Sequence, residues 1–212
     1  MSTIDGVRQI IFSSNLGLCA VALDDGKVLW EHEWDIAQFA RVTQPLVVGN
    51  AVYLGTGYGN GTERVTVRRD QDGVWQASAD WVAPLKPYFN DFVYHKGHLY
   101  GFDDSIFTSV DAESGERNWK RGRYGFGQVL LLPEMELLLV ISEDGEVILL
   151  NADPSKHTEI ASFQAIEGVT WNHPVIADGK LFVRNASEAA CFALPGIQRV
   201  TSQPATEQAF QA

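Results

Sequence analysis

The sequence predicts an all-β fold of the β-propeller type, and three observations carry that reading. Short apolar runs with period-two alternation are separated by turn residues, the pattern of antiparallel strands. A turn phrase recurs along the chain. It reads LDDGKVLW from Leu23 to Trp30, DQDGVW from Asp70 to Trp75, VDAESGERNW from Val110 to Trp119, and in worn form NADPSKHTEI from Asn151 to Ile160. Trp30, Trp75 and Trp119 stand 45 and 44 residues apart, a period that fits one four-stranded blade.

Each residue type in the phrase has a mechanical task. Asp111 caps the turn with its side chain, Gly115 supplies a position of positive φ, and Trp119 brings a large apolar anchor to the next strand. Asp24 and Gly26 hold the corresponding places in the first copy. Trp30, Trp75, Trp119, Asp24, Asp111, Gly26 and Gly115 are therefore read as structural, forming the buckle between blades.

The blades follow in order. The first copy has strands over 7–12, 18–23 and 27–34, with turns at Asn15 to Gly17 and Asp25-Gly26, and its innermost strand is expected to be missing. The second has strands over 45–48, 51–55, 64–68 and 74–79, with a turn at Gly49-Asn50. Its insertion TGYGNG, ending at Gly61, lacks the Lys-Ser/Thr of a phosphate loop and reads as a β-turn. The third has strands over 92–95, 98–102, 106–110 and 117–121 around the Lys96-Gly97 turn. The fourth has strands over 129–132, 137–142 and 147–150 and a degenerate outer strand near 159–163. The fifth has strands over 174–176, 180–185 and 190–194 and lacks an outer strand. The repeats thus occupy residues 1–200, with full blades at 43–81, 90–121 and 127–164, partial blades at 7–34 and 171–195, and a disordered polar tail over 201–212.

That is about five blades' worth of material, three full and two partial, in an open arc. An open arc leaves sheet faces and edges uncovered. Either the chain is part of a longer protein, or two copies associate to close a ring.

The net charge of −11, with no Lys/Arg cluster, argues against a nucleic-acid backbone as partner. Cys19 and Cys191 both lie in apolar strand-like runs and are expected to be buried free thiols. A disulfide between them requires the two chain ends to meet. Their spacing is not that of a metal site. No signal peptide and no transmembrane span is read in this chain, so membrane insertion is not expected.

The phrase DAESGERNW resembles the tryptophan-docking motif of the PQQ-like β-propeller family, roughly AxDxxTGxxxW, and LDDGKVLW resembles it with one residue fewer. HPVIADGKLFVRN and GHLYGFD are similar to the inner-strand phrase of the same family. The resemblance covers about residues 7–195. It implies seven or eight blades in a complete ring, and tryptophans stacked on peptide planes of the neighbouring blade. It also implies a periplasmic or cell-envelope location. The family includes quinoprotein dehydrogenases, the periplasmic scaffold of outer-membrane protein assembly, and many bacterial proteins without known chemistry. The dehydrogenase branch implies a quinone held between a vicinal disulfide and a tryptophan, with calcium bound by Glu, Asn and Asp. This sequence has no adjacent cysteines, and the spacing of Asp91, Asp103 and Asp104 selects no calcium site; Asp103-Asp104 reads as a turn between strands.

Aligning the innermost strands on their turns makes Thr43, Asn90, Gln128 and Asn172 equivalent, followed by Gln44, Asp91, Val129 and His173. These positions would ring the channel mouth, with Tyr88, Tyr124 and Trp171 near them. Polar groups beside aromatics at a propeller mouth suit ligand binding, although Asn, Thr and Gln also satisfy open backbone groups at strand ends. The expected function is a non-enzymatic binding or scaffold module for a protein or peptide, with no catalytic residue, metal or cofactor. One alternative is a fragment of a PQQ-dependent quinoprotein oxidoreductase, with PQQ and calcium. A lower one is carbohydrate or small-ligand binding at the mouth.

Overall fold

In the computed structural model, residues 1–36 and 41–194 are described. They form four four-stranded antiparallel sheets and one three-stranded sheet, in chain order, set side by side as propeller blades. Blade 1 holds β1 (Ser2–Ile4), β2 (Val7–Ser14), β3 (Gly17–Ala22) and β4 (Val28–Glu33). Blade 2 holds β5 (Leu46–Val48), β6 (Ala51–Thr56), β7 (Gly61–Arg69) and β8 (Trp75–Ala83). Blade 3 holds β9 (Val93–His95), β10 (His98–Asp103), β11 (Ile106–Asp111) and β12 (Arg117–Arg123). Blade 4 holds β13 (Gln128–Leu132), β14 (Leu137–Ile141), β15 (Glu146–Asn151) and β16 (Glu159–Gln164), with a 3-10 turn at Pro133–Met135. Blade 5 holds β17 (Val175–Ala177), β18 (Lys180–Arg184) and β19 (Ala189–Ala193). The five sheets do not close into a ring.

The first blade departs from the sequence reading. Its innermost strand is present, because Ser2–Ile4 pairs antiparallel with β2 and Ile4 is fully buried. The turn that allows this is Asp5-Gly6, with φ of 45° and 75°, the two positive values that a type I′ hairpin needs. Lys96-Gly97 and Asp178-Gly179 repeat the same conformation in blades 3 and 5. The tail read as disordered, 201–212, lies outside the described residues.

One apolar cluster fills each seam. Ile4, Leu18, Ala20 and Trp30 meet Val52, Leu54, Val65 and Val67 between blades 1 and 2. Tyr53 and Leu85 meet Leu99 and Val110 between blades 2 and 3. Phe102, Phe107 and Tyr124 meet Leu138, Val140 and Ile148 between blades 3 and 4. Leu139, Ile141 and Val147 meet Leu181 and Val183 between blades 4 and 5. Strict alternation makes this possible, since a central blade must present one apolar row to each neighbour. In blades 1 to 4 the pairing of the third with the fourth strand carries a bulge, as at Ala20/Val21 and Ser109/Val110. A bulge adds local twist where each sheet splays outward.

The turn phrase acts as a buckle, though not through all the residues chosen for it. Asp111 Oδ1 accepts the backbone N–H of Glu113 at 3.0 Å and of Ser114 at 2.8 Å, and Gly115 has φ 75°. The Trp119 indole then donates 3.0 Å to the carbonyl of Asp153 in blade 4. In blade 1 the carboxylate that accepts a turn N–H is Asp25, from Lys27 at 3.1 Å, and not Asp24. Trp30 donates to Gln9 within its own blade at 2.7 Å. Trp75 faces back toward blade 1 and packs on that seam. The tryptophan of blade 2 that crosses forward is Trp81, which donates 2.8 Å to the carbonyl of Glu113 in blade 3.

Candidate functional site

The loops that lead into the innermost strands share one face of the arc, and the polar residues aligned there form a linked set. Thr43, fully buried, donates its hydroxyl 2.6 Å to the carbonyl of Gly55. Its own carbonyl accepts from Ser13 of blade 1 at 3.2 Å. Asp91 Oδ1 accepts the backbone N–H of Gln44 at 3.1 Å, and its Oδ2 lies 3.4 Å from Nε2 of His173. One carboxylate of blade 3 thus ties together the inner-strand starts of blades 2 and 5. Gln128, buried, donates 2.9 Å to the carbonyl of Trp171 and 3.5 Å to that of Phe89, so blade 4 also clasps both neighbours. Asn90 accepts the N–H of Tyr88 at 2.9 Å and is fully buried. Asn172 is half-buried beside Trp171. Two buried polar atoms in this set, Asn90 Nδ2 and Gln128 Oε1, have no protein partner, leaving one donor and one acceptor.

Tyr124 does not join this group. Its side chain turns into the seam between blades 3 and 4, where its hydroxyl meets Nε2 of His157 at 2.8 Å and donates to Glu159 at 2.5 Å. Burial, reinforced by Glu159, pushes its phenol far above the usual value. The sequence places Tyr124 next to the mouth; the side-chain direction takes it away.

What the spacing did not reveal is a continuous strip of rings across this face. Tyr58 packs at a tilt on Tyr88 with ring centroids 4.6 Å apart, Tyr88 meets Phe126 edge-on at 5.0 Å, and tilted contacts join Phe126 to Phe89 at 5.9 Å and Phe89 to Trp171 at 4.9 Å. Tyr58, Phe89 and Trp171 are exposed, Trp171 by 50%. Glycines make the strip possible. A Cβ on Gly57 would come 2.5 Å from the Tyr88 ring, and one on Gly125 would strike the Glu143 carboxylate. Glu143 in turn accepts the indole N–H of Trp171 at 2.8 Å and the N–H of Phe126 at 3.3 Å, pinning both ends of blade 4's contribution. The TGYGNG insertion, read only as a turn, is the loop that presents Tyr58.

Two ionic contacts, each with a buried carboxylate, brace the blades. Asp103, 1% exposed, accepts from Lys86 at 2.8 Å and Lys120 at 2.7 Å, with Arg117 at 3.2 Å. Burial pushes its carboxyl up, but the hydrogen bonds from Lys120 and Lys86 outweigh that and hold it below the usual range. Asp104 beside it has φ 57° and does form the turn. Across the first seam, His32 Nε2 and Glu63 lie 2.9 Å apart, and burial holds the Glu63 carboxyl above its ordinary value. Among the described residues, no cluster of three or more His, Cys, Asp or Glu side chains is arranged to hold a metal. No described helix is long and apolar enough to cross a membrane. Cys19 is half-buried and Cys191 is exposed, so the expectation of two buried thiols fails at Cys191.

A family profile described as "Outer membrane protein assembly factor BamB" matches residues 2–121, which is more than half of the chain. The chain belongs to this PQQ-like family. No curated protein matches by sequence. Among solved structures, BamB from Moraxella catarrhalis aligns with a TM-score of 0.67 at 14% identity, over 91% of this chain and 56% of its own. A functionally unknown protein from Desulfotomaculum acetoxidans aligns with a TM-score of 0.65 at 12% identity, over 91% and 67%. The β-propeller domain of Cps50 (Swd1) from Myceliophteria thermophila aligns with a TM-score of 0.57 at 15% identity, over 90% and 70%. These likenesses concern the fold, and this chain spans just over half the length of the BamB chain.

Proposed function

We propose that the chain is a non-enzymatic docking scaffold whose protein or peptide partner lies along the aromatic strip. The observation that carries this reading is the unbroken run Tyr58–Tyr88–Phe126–Phe89–Trp171, exposed at both ends and at Phe89. Contiguous exposed aromatics on a rigid support are the composition of binding hot spots rather than of ordinary surface. Membership of a family named for outer-membrane protein assembly supports a protein partner and a place in the cell envelope. The polar set at Asp91, Gln128 and His173 then fixes the loops that present the rings.

Site-specific photo-crosslinking tests this. With a benzophenone side chain at Phe89 or Trp171, a discrete protein adduct is expected in cells, and none from Phe163 on the outer strand of blade 4. Equal adducts at all three positions, or none at Phe89 and Trp171, would overturn the reading. The oxidoreductase alternative has its own check: saturable binding of PQQ with calcium, seen as a bound quinone absorbance, would overturn a scaffold-only role.

A further inference from the structure

Among the described residues, nothing covers one sheet face of each terminal blade, and the two faces are unlike. On blade 1, residues that alternate with the seam row turn outward: Ile10 beside Val21, then Phe12 beside Cys19 and Glu31, then Glu33. Phe12 is 51% exposed and both glutamates are exposed. On blade 5 the outward row is Val175, Phe182 and Cys191, bracketed by Lys180 and Arg184. Phe182 is 41% exposed. Both centres are apolar rows of the kind that fill the four internal seams. Their charges are opposite, two carboxylates against two cations. Arg8, the cation on the blade 1 face, lies at its inner end beside Thr3.

We propose that a second copy of this chain docks head to tail, the outer face of blade 5 stacking on the outer face of blade 1. Pairing two blade 5 faces would oppose Lys180 and Arg184 to themselves, and pairing two blade 1 faces would oppose Glu31 and Glu33. Only the unlike pairing sets opposite charges around an apolar centre, and charge complementarity of this kind fixes register. The contact is heterologous, so it either closes a ring or continues as an open assembly. It uses a different surface from the aromatic strip.

The cysteines report on it, because one sits near the middle of each face. In a mixture of Cys19→Ser and Cys191→Ser copies, a short bismaleimide can join Cys191 of one copy to Cys19 of another across this contact, whereas each variant alone offers only like pairs. The reaction is run near neutral pH for long enough to capture Cys19, since burial and then Glu31 raise its thiol above the usual value and slow it. A covalent dimer is expected from the mixture and not from either variant alone. Sedimentation of the native chain is expected to show concentration-dependent association. Lys180→Glu with Arg184→Glu should weaken it at least tenfold, and mixing with Glu31→Lys, Glu33→Lys copies should restore it. A native chain that stays monomeric at every concentration overturns the proposal. So does a dimer formed by one cysteine variant alone, or an unchanged dissociation constant in a charge-reversed protein that keeps its native circular dichroism.

Discussion

The indole N–H of Trp81 reaches 2.8 Å to the backbone carbonyl of Glu113, joining blade 2 to the turn of blade 3. Trp119 makes the same link to Asp153 one blade further on, at 3.0 Å. The bond crosses a seam, so its loss should be felt between sheets rather than within one. Trp81→Phe keeps most of the ring and removes the donor, and should destabilise by about 1 kcal/mol. Trp75→Phe, which breaks no such link, should stay within about 0.5 kcal/mol of the native protein. Urea unfolding of the two variants side by side checks the difference.

Gly115 lies against the same ring. Its φ is 75°, and a Cβ there would sit 2.8 Å from Cδ2 of Trp81. Gly6 shares the φ of 75° but has open space around it. Gly115→Ala should therefore destabilise by about 2–3 kcal/mol and Gly6→Ala by about 1, since both pay for the left-handed backbone and only one must also displace a packed indole. Equal losses would mean that the Trp81 contact contributes nothing.

His157 sets a pH dependence. Burial holds its imidazole below the usual value, opposed by Glu159. The unfolded chain takes up a proton near about pH 6.5 and the folded chain resists it, so stability should fall as the pH drops through that region. His157→Gln should flatten the change in melting temperature between pH 7.5 and 5.5. Asp103 does not contribute to that interval. Its folded carboxyl lies below 3.8, so the stability it adds is present above that value and is lost only in stronger acid.

Gln128→Leu removes the clasp on the carbonyls of Trp171 and Phe89. It also removes a buried acceptor that has no protein partner, so the net loss should be only about 1 kcal/mol. The larger effect should be on the loops over 84–92 and 165–174, which should become measurably easier to cleave by protease while the melting temperature shifts by a few degrees.

Much of the fold was legible because period-two alternation and Gly-containing turns are local signals. The first strand escaped because Ser2–Ile4 is three residues long and mostly polar; its trace was the Asp5-Gly6 turn, matching Asp178-Gly179. Trp75 fits the period of the blade tryptophans, yet strand alternation turns it to the other seam, and Trp81 lies across the bulge at Arg64/Val65. At the mouth, alignment on the turns located Thr43, Asn90 and Gln128, whose places depend on strand register. The rings of Tyr58, Phe89 and Phe126 sit in loops of unequal length and follow no period. Only their contacts in space bring them together.

Blade 1 draws all four strands from residues 2–33, and blades 2 to 4 are likewise each one uninterrupted stretch. No described sheet waits for a strand from a distant part of the chain. Most pairings are then hairpins between neighbours in sequence, which keeps the loop-closure entropy small and favours rapid folding for an all-β protein. A chain being synthesised could complete each sheet as it emerges and dock it on the one before, so that stability accumulates seam by seam as it does in repeat arrays.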